Sequence, residues 1–121
     1  MKIRHIAMAA AALTTGSAFA LTPSDITTLR ASGQLKEVVI HGASAQTNLI
    51  AGYMGEQCAT GTLDTYQSAS NSGKDYKAYA CRLKATVPGT GGWVANTPVL
   101  VIKRDVGGSI FGVNPISKQW A

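Results

Sequence analysis

The stretch "VVIHGASAQTNLIAGY", Val38 to Tyr53, decides how the chain is read. A β-branched run breaks at Gly42, passes through Ala43, Ser44 and Ala45, and becomes an apolar-periodic segment. Such a change of period at a glycine predicts a strand, a tight turn and a helix. The strand, over Glu37 to Ile40, is apolar on both faces, the mark of burial within an α/β sheet. The helix is expected over about Gln46 to Gln57, with Leu49, Ile50, Tyr53, Met54 and Cys58 as one core-facing stripe. Gly52 and Gly55 inside it cost up to about 1 kcal/mol each relative to Ala, so this helix leans on tertiary packing.

The first turn of a helix carries backbone N–H groups with no internal partner, and the helix dipole adds partial positive charge there. A strand–Gly–small–Ser–helix connection aims those donors at a bound anion, and Gly42 lets a ligand approach the backbone. Gly42, Ala43, Ser44 and Ala45 are therefore candidate ligand contacts, with the Ser44 hydroxyl either capping the helix or reaching the ligand. A second stretch, "VLVIKRDVGGSIFGV" (Val99 to Val113), repeats the pattern with a strand over Val99 to Ile102 and a Gly107-Gly108-Ser109 turn. Two such turns at neighbouring strand ends would converge on one tetrahedral anion, which adds Gly108 and Ser109 to the candidates. Plain strand-to-helix connections use the same residues, and that alternative stays open.

Around these stretches the punctuation is regular. "LTPSDITTLRASG" reads as an opening helix capped by Thr22, with Pro23 in its first turn and Asp25 closing a capping box. Ile26 and Leu29 face the core in that reading, and Gly33 stops the helix. Residues 60–85 read as two short strands about the polar tip Ser68 to Lys74, the second alternating Tyr79, Cys81 and Leu83 with Ala80, Arg82 and Lys84. "VPGTGGWVANTP" is a Gly/Pro-rich loop in which Trp93 covers a sheet edge or completes a small core.

The first twenty residues stand apart. "MKIRHIAMAAAALTTGSAFA" has Lys2 and Arg4 in front, an apolar centre from Ile6 to Leu13 and an Ala18-Phe19-Ala20 end. This is the pattern of a cleaved secretory signal peptide, with an apolar run too short to span a membrane. The remainder, 21–121, fits one domain. Without Lys2 and Arg4 the formal charge of +5 falls to +3, and its Lys and Arg are scattered. Nucleic-acid surfaces cluster them, so no nucleic-acid partner is expected. Cys58 and Cys81, an even pair in an oxidising compartment, predict a disulfide. His41 is the only histidine after the leader and no C-x-x-C occurs, so neither a metal site nor a cofactor is expected. The protein is expected to be periplasmic or secreted.

"VVIHGASAQTNLIAGYM" resembles the first strand, binding loop and helix of periplasmic phosphate-binding-like proteins, the substrate-binding components of ABC transporters. "VLVIKRDVGGSIFGVNPI" is similar to a later strand and Gly-Gly-Ser segment in a related exported branch, which also tends to carry cysteines placed like Cys58 and Cys81. The resemblance covers most of Leu35 to Ile116. It implies an α/β domain with a small mixed sheet and flanking helices, part of one lobe of a binding protein. It also implies a small oxyanion such as phosphate held at Ala43, Ser44, Ala45, Gly108 and Ser109, and an ABC transporter membrane component as partner. Family members are two-lobed and several times longer, so the chain reads as a truncated relative or as a fragment of a longer reading frame. A sheet from such an incomplete unit has an unpaired edge and is prone to self-association.

Two other classes compete with this reading. His41, Asp105 and Ser109 supply the residue types of a hydrolytic triad, but Phe111 stands where a nucleophile elbow requires glycine. No enzymatic activity is expected. The alternative to solute binding is a small disulfide-stapled interaction or adhesion domain, with Tyr66, Tyr76, Tyr79, Trp93 and Trp120 available as contact area.

Overall fold

The computed structural model describes residues 19–69 and 75–106, and the architecture is a small α/β fold. Helix α1 (Pro23–Ala31) begins where the sequence placed it. Thr22 Oγ1 accepts from the Asp25 amide at 3.2 Å, and the Thr22 amide donates to Asp25 Oδ2 at 2.9 Å. These reciprocal bonds satisfy two donors that a helix start leaves open. Gly33 follows with φ 71°, a left-handed conformation that ends the helix at no Cβ cost. Strand β1 (Lys36–His41) then leads through a 3₁₀ turn, Ser44–Gln46, into α2 (Thr47–Gln57). Strands β2 (Asp64–Gln67), β3 (Tyr76–Arg82) and β4 (Pro98–Arg104) complete the sheet.

The strand order is β1-β4-β3-β2. β1 and β4 are parallel, from Lys36 opposite Val99 to His41 opposite Arg104, while β4–β3 and β3–β2 are antiparallel. The expected small mixed sheet with flanking helices is what the chain forms. Alternation along β3 and β4 sorts their side chains onto two cores, one per face. Met54 and Cys58 from α2 and its C-cap pack with Tyr79, Cys81, Leu83, Val99 and Val101 on one face. On the other, Ile26 of α1 packs with Leu21, Leu35, Ala80 and Leu100. β3 is consequently buried on both faces, Ala80 included, where alternation alone had marked it half-buried.

Cys58 and Cys81 form the expected disulfide, with Cα atoms 5.7 Å apart across 23 residues of sequence. In the chain-entropy account a loop of that length stabilises the fold by about 3 kcal/mol. The bridge pins the end of α2 to the central part of the sheet.

Two expectations from the opening stretch need correction. β1 lies at the sheet edge, not inside it: Val39 is 54% exposed although its neighbours Val38 and Ile40 pack against the core. The stripe on α2 is also narrower than its spacing implied. Met54 and Cys58 are buried and Ile50 packs against them, but Leu49 is 73% and Tyr53 51% exposed. The two exposures lie on opposite faces of the sheet: Val39 is on the α1 face of an edge strand, whereas Leu49 and Tyr53 stand on α2 at the rim of the space between the helix and β1.

Candidate functional site

The turn that the sequence singled out forms at the carboxyl end of the parallel β1–β4 pair. Gly42 is buried with φ 127°, a conformation that favours glycine, and its amide donates to Arg104 O at 3.2 Å. Ala43 is half-buried, and Ser44 and Ala45 are exposed at the start of the 3₁₀ turn. Ser44 caps neither that turn nor α2. The four residues form a single turn at this strand end. The other half of the candidate set, Gly108 and Ser109, lies outside the described residues, as do residues 1–18 and Trp120.

Beneath the turn sits a polar group that the sequence reading passed over. Lys103, on the α2 face of β4, is fully buried. Its Nζ donates to Gly42 O at 2.9 Å and forms an ion pair with Asp105. Asp105 Oδ2 in turn accepts from Thr47 Oγ1, the first residue of α2, at 2.8 Å. The chain's own carboxylate thus stands at the first turn of α2, where a bound anion would draw on the helix dipole. Both Asp105 oxygens are thus engaged within the fold, by Lys103 and Thr47, and the third triad candidate, Ser109, is among the undescribed residues.

On the opposite face of β4, Arg104 lies in register with His41. Its guanidinium stands 5.5 Å from the Tyr76 ring centroid, a cation–π distance. Its Nε is buried with no hydrogen-bond partner among the described residues. Tyr79 lies on the α2 side, and burial pushes its phenol above the ordinary value, with a smaller contribution from the Asp105 charge.

The second feature was not anticipated. Between α2, the β1–β4 face and the loop after β3 lies a cavity of about 390 Å³. Val38, Ile40, Ile50, Met54, Val101 and Trp93 form most of its wall, and Leu49 and Tyr53 stand at its rim. The loop that carries Trp93 is tied to itself and to the sheet. The Val87 amide donates to Trp93 O at 2.9 Å, and Thr90 Oγ1 to Val87 O at 2.7 Å. Asn96, at φ 70°, closes the loop by donating its amide to Leu83 O at 2.7 Å. One sequence signal did point here: a lone tryptophan inside a Gly/Pro-rich loop needs an apolar surface to rest on. Which surface depends on the strand order, and composition does not give that.

Among the described residues no three His, Cys, Asp or Glu side chains group as a metal site, and no helix is long and apolar enough to cross a membrane. The disulfide is compatible with an extracellular location. No protein-family model matches the chain, and neither the curated proteins nor the solved structures provide a match.

Proposed function

We propose that this domain is an exported solute-binding module whose ligand is a small apolar molecule seated between α2 and the sheet. The supporting observation is the cavity: about 390 Å³, walled by aliphatic side chains, with aromatic Trp93 and Tyr53 beside it and an almost wholly apolar lining. Size and lining fall in the range typical of small-molecule sites. Magnitudes favour it over the turn. A ligand burying roughly 150 Å² of apolar surface gains about 4 kcal/mol before the cost of association is set against it. A helix N-terminus contributes about 0.3–1 kcal/mol to an exposed anion, and Asp105 already draws on that of α2. The leader-like first twenty residues support export to the periplasm.

A homologous series of n-alkanols tests this through Trp93 fluorescence, with Trp93→Phe as the control for Trp120. Affinity is expected to rise about fourfold per added methylene, from about 0.8 kcal/mol per CH₂, and to fall in Val38→Phe, which narrows the cavity. A response that does not saturate, or that is unchanged in Val38→Phe, rejects the reading.

One observation favours a second reading, the oxyanion site of a phosphate-binding-like protein working with an ABC transporter membrane component. Arg104 Nε, buried without a partner among the described residues, lies at the same strand end as the Ala43–Ala45 turn. In that case millimolar phosphate raises the melting temperature, and Ser44→Asp abolishes the effect.

A further inference from the structure

We propose that β1 is the interface of a two-fold symmetric dimer, in which β1 of a second copy adds antiparallel to the edge that the described strands leave unpaired and extends the sheet across both molecules. This stands apart from the cavity reading and rests on backbone register, charge and exposed apolar surface. The Gly42 amide points to β4, where it donates to Arg104 O. In a parallel ladder alternate residues face the same neighbour. Glu37, Val39 and His41 therefore direct their N–H and C=O groups away from β4, along an edge that no strand of the described residues covers. A twofold axis normal to the sheet must oppose residues of like face. One register satisfies the side chains as well. Centred on Val39, it sets Val39 against its own copy, Val38 against Ile40, and the Glu37 carboxylate against His41, twice by symmetry.

In that register every outward-facing residue of β1 meets an outward-facing residue of the other copy, giving main-chain bonds at Glu37, Val39 and His41. Each face of the new sheet also gains an apolar contact. On the α1 face the two Val39 side chains meet at the axis. On the other face the two α2 helices come together through Leu49 and Tyr53, which the monomer leaves 73% and 51% exposed. Glu37 enters this arrangement already oriented, because Arg30 of α1 holds its Oε1 through Nε at 2.7 Å. Edges that proteins keep monomeric carry lysine, proline or bulges at their centre. β1 carries Val38-Val39-Ile40 there, with Lys36 displaced to one end.

Sedimentation equilibrium on the full chain, oxidised, tests the proposal. The wild-type chain is expected to sediment as a dimer at tens of micromolar. Val39→Lys, which sets two like charges at the axis, is expected to weaken association at least a hundredfold while far-ultraviolet circular dichroism stays unchanged. Val39→Glu alone does the same, and an equimolar mixture of the two variants restores a dimer, which a misfolded variant would not do. A wild-type chain that stays monomeric to several hundred micromolar overturns the proposal. So does a dimer that persists in Val39→Lys, or a Lys/Glu mixture that fails to associate. Binding of an added apolar peptide by a monomeric wild-type chain would assign the edge to a different partner and equally reject the second copy.

Discussion

The two ends of the opening stretch make opposite use of their surroundings. At the Gly42 end the chain gathers a lysine, a carboxylate, a threonine hydroxyl and a backbone carbonyl, and closes them on one another under the turn. Along β1 and the outer flank of α2, ordinary aliphatic and aromatic residues are left facing a cavity and solvent. The residues that looked like chemistry are occupied internally, and the residues that looked like core are the ones with something left to bind. A motif advertises donors, but binding capacity is what remains after the fold has used its share.

The contrast can be broken most forcefully at Lys103. Lys103→Met leaves the Asp105 carboxylate buried and uncompensated, and is expected to destabilise by about 3–5 kcal/mol in urea unfolding. Adding Asp105→Leu should return most of that loss, because replacing both partners of a buried pair by apolar residues is often near neutral. If the single variant costs less than about 1 kcal/mol, the Gly42 end is not the closed polar unit described above.

α2 offers the next test, since two of its apolar residues are placed oppositely. Met54→Ala removes a buried side chain and should cost about 2–4 kcal/mol while enlarging the cavity. Leu49→Gln, five residues earlier, should change stability by less than about 0.5 kcal/mol but weaken association in the sedimentation experiment. Similar losses of stability at both positions would mean that the helix flank is packed after all.

A smaller effect is confined to alkaline pH. Burial raises the Tyr79 phenol above its ordinary value of 10.0, with the Asp105 charge adding to it. The unfolded chain therefore loses this proton first as pH rises. The Tyr79 contribution is fully present below about pH 10 and is lost above it, as pH climbs toward the folded-state value. In Tyr79→Phe the alkaline decline in melting temperature should be shallower than in the wild-type chain. An unchanged slope would place the alkaline sensitivity elsewhere, with Tyr66, raised chiefly by burial, next in line.

Local rules read well from this sequence because their partners lie within a few residues. The capping box of Thr22 and Asp25, the stop at Gly33, the strand–turn–helix around Gly42 and the alternation through Tyr79 and Cys81 are of this kind. The Cys58–Cys81 bridge was legible from the count of cysteines and the compartment. What could not be read depends on which strand lies beside which. Val38-Val39-Ile40 signals burial on both faces, yet β1 sits at the edge, because periodicity reports which residues tolerate burial and not whether a neighbour exists. Lys103 follows four apolar residues and looks like the solvent-facing end of a strand. It is buried because the Gly42 turn folds over it with an acceptor, and the Asp105 carboxylate two residues on supplies the compensating charge. The cavity belongs to the same class, since it arises between elements that lie far apart in the chain.

The parallel pairing of β1 with β4 also sets an order of assembly. Lys36 and Val99, facing partners in the sheet, are sixty-three residues apart along the chain. Bringing such distant segments together carries an entropic cost that grows with the logarithm of the intervening length. The Cys58–Cys81 crosslink short-circuits 23 of those residues. On logarithmic scaling that lowers the closure cost by about 0.4 kcal/mol, roughly a twofold faster encounter. An oxidised chain would thus zip β1 into place sooner than a reduced one, and thiol oxidation becomes a timing device for this long-range pairing as well as a clamp on the finished fold.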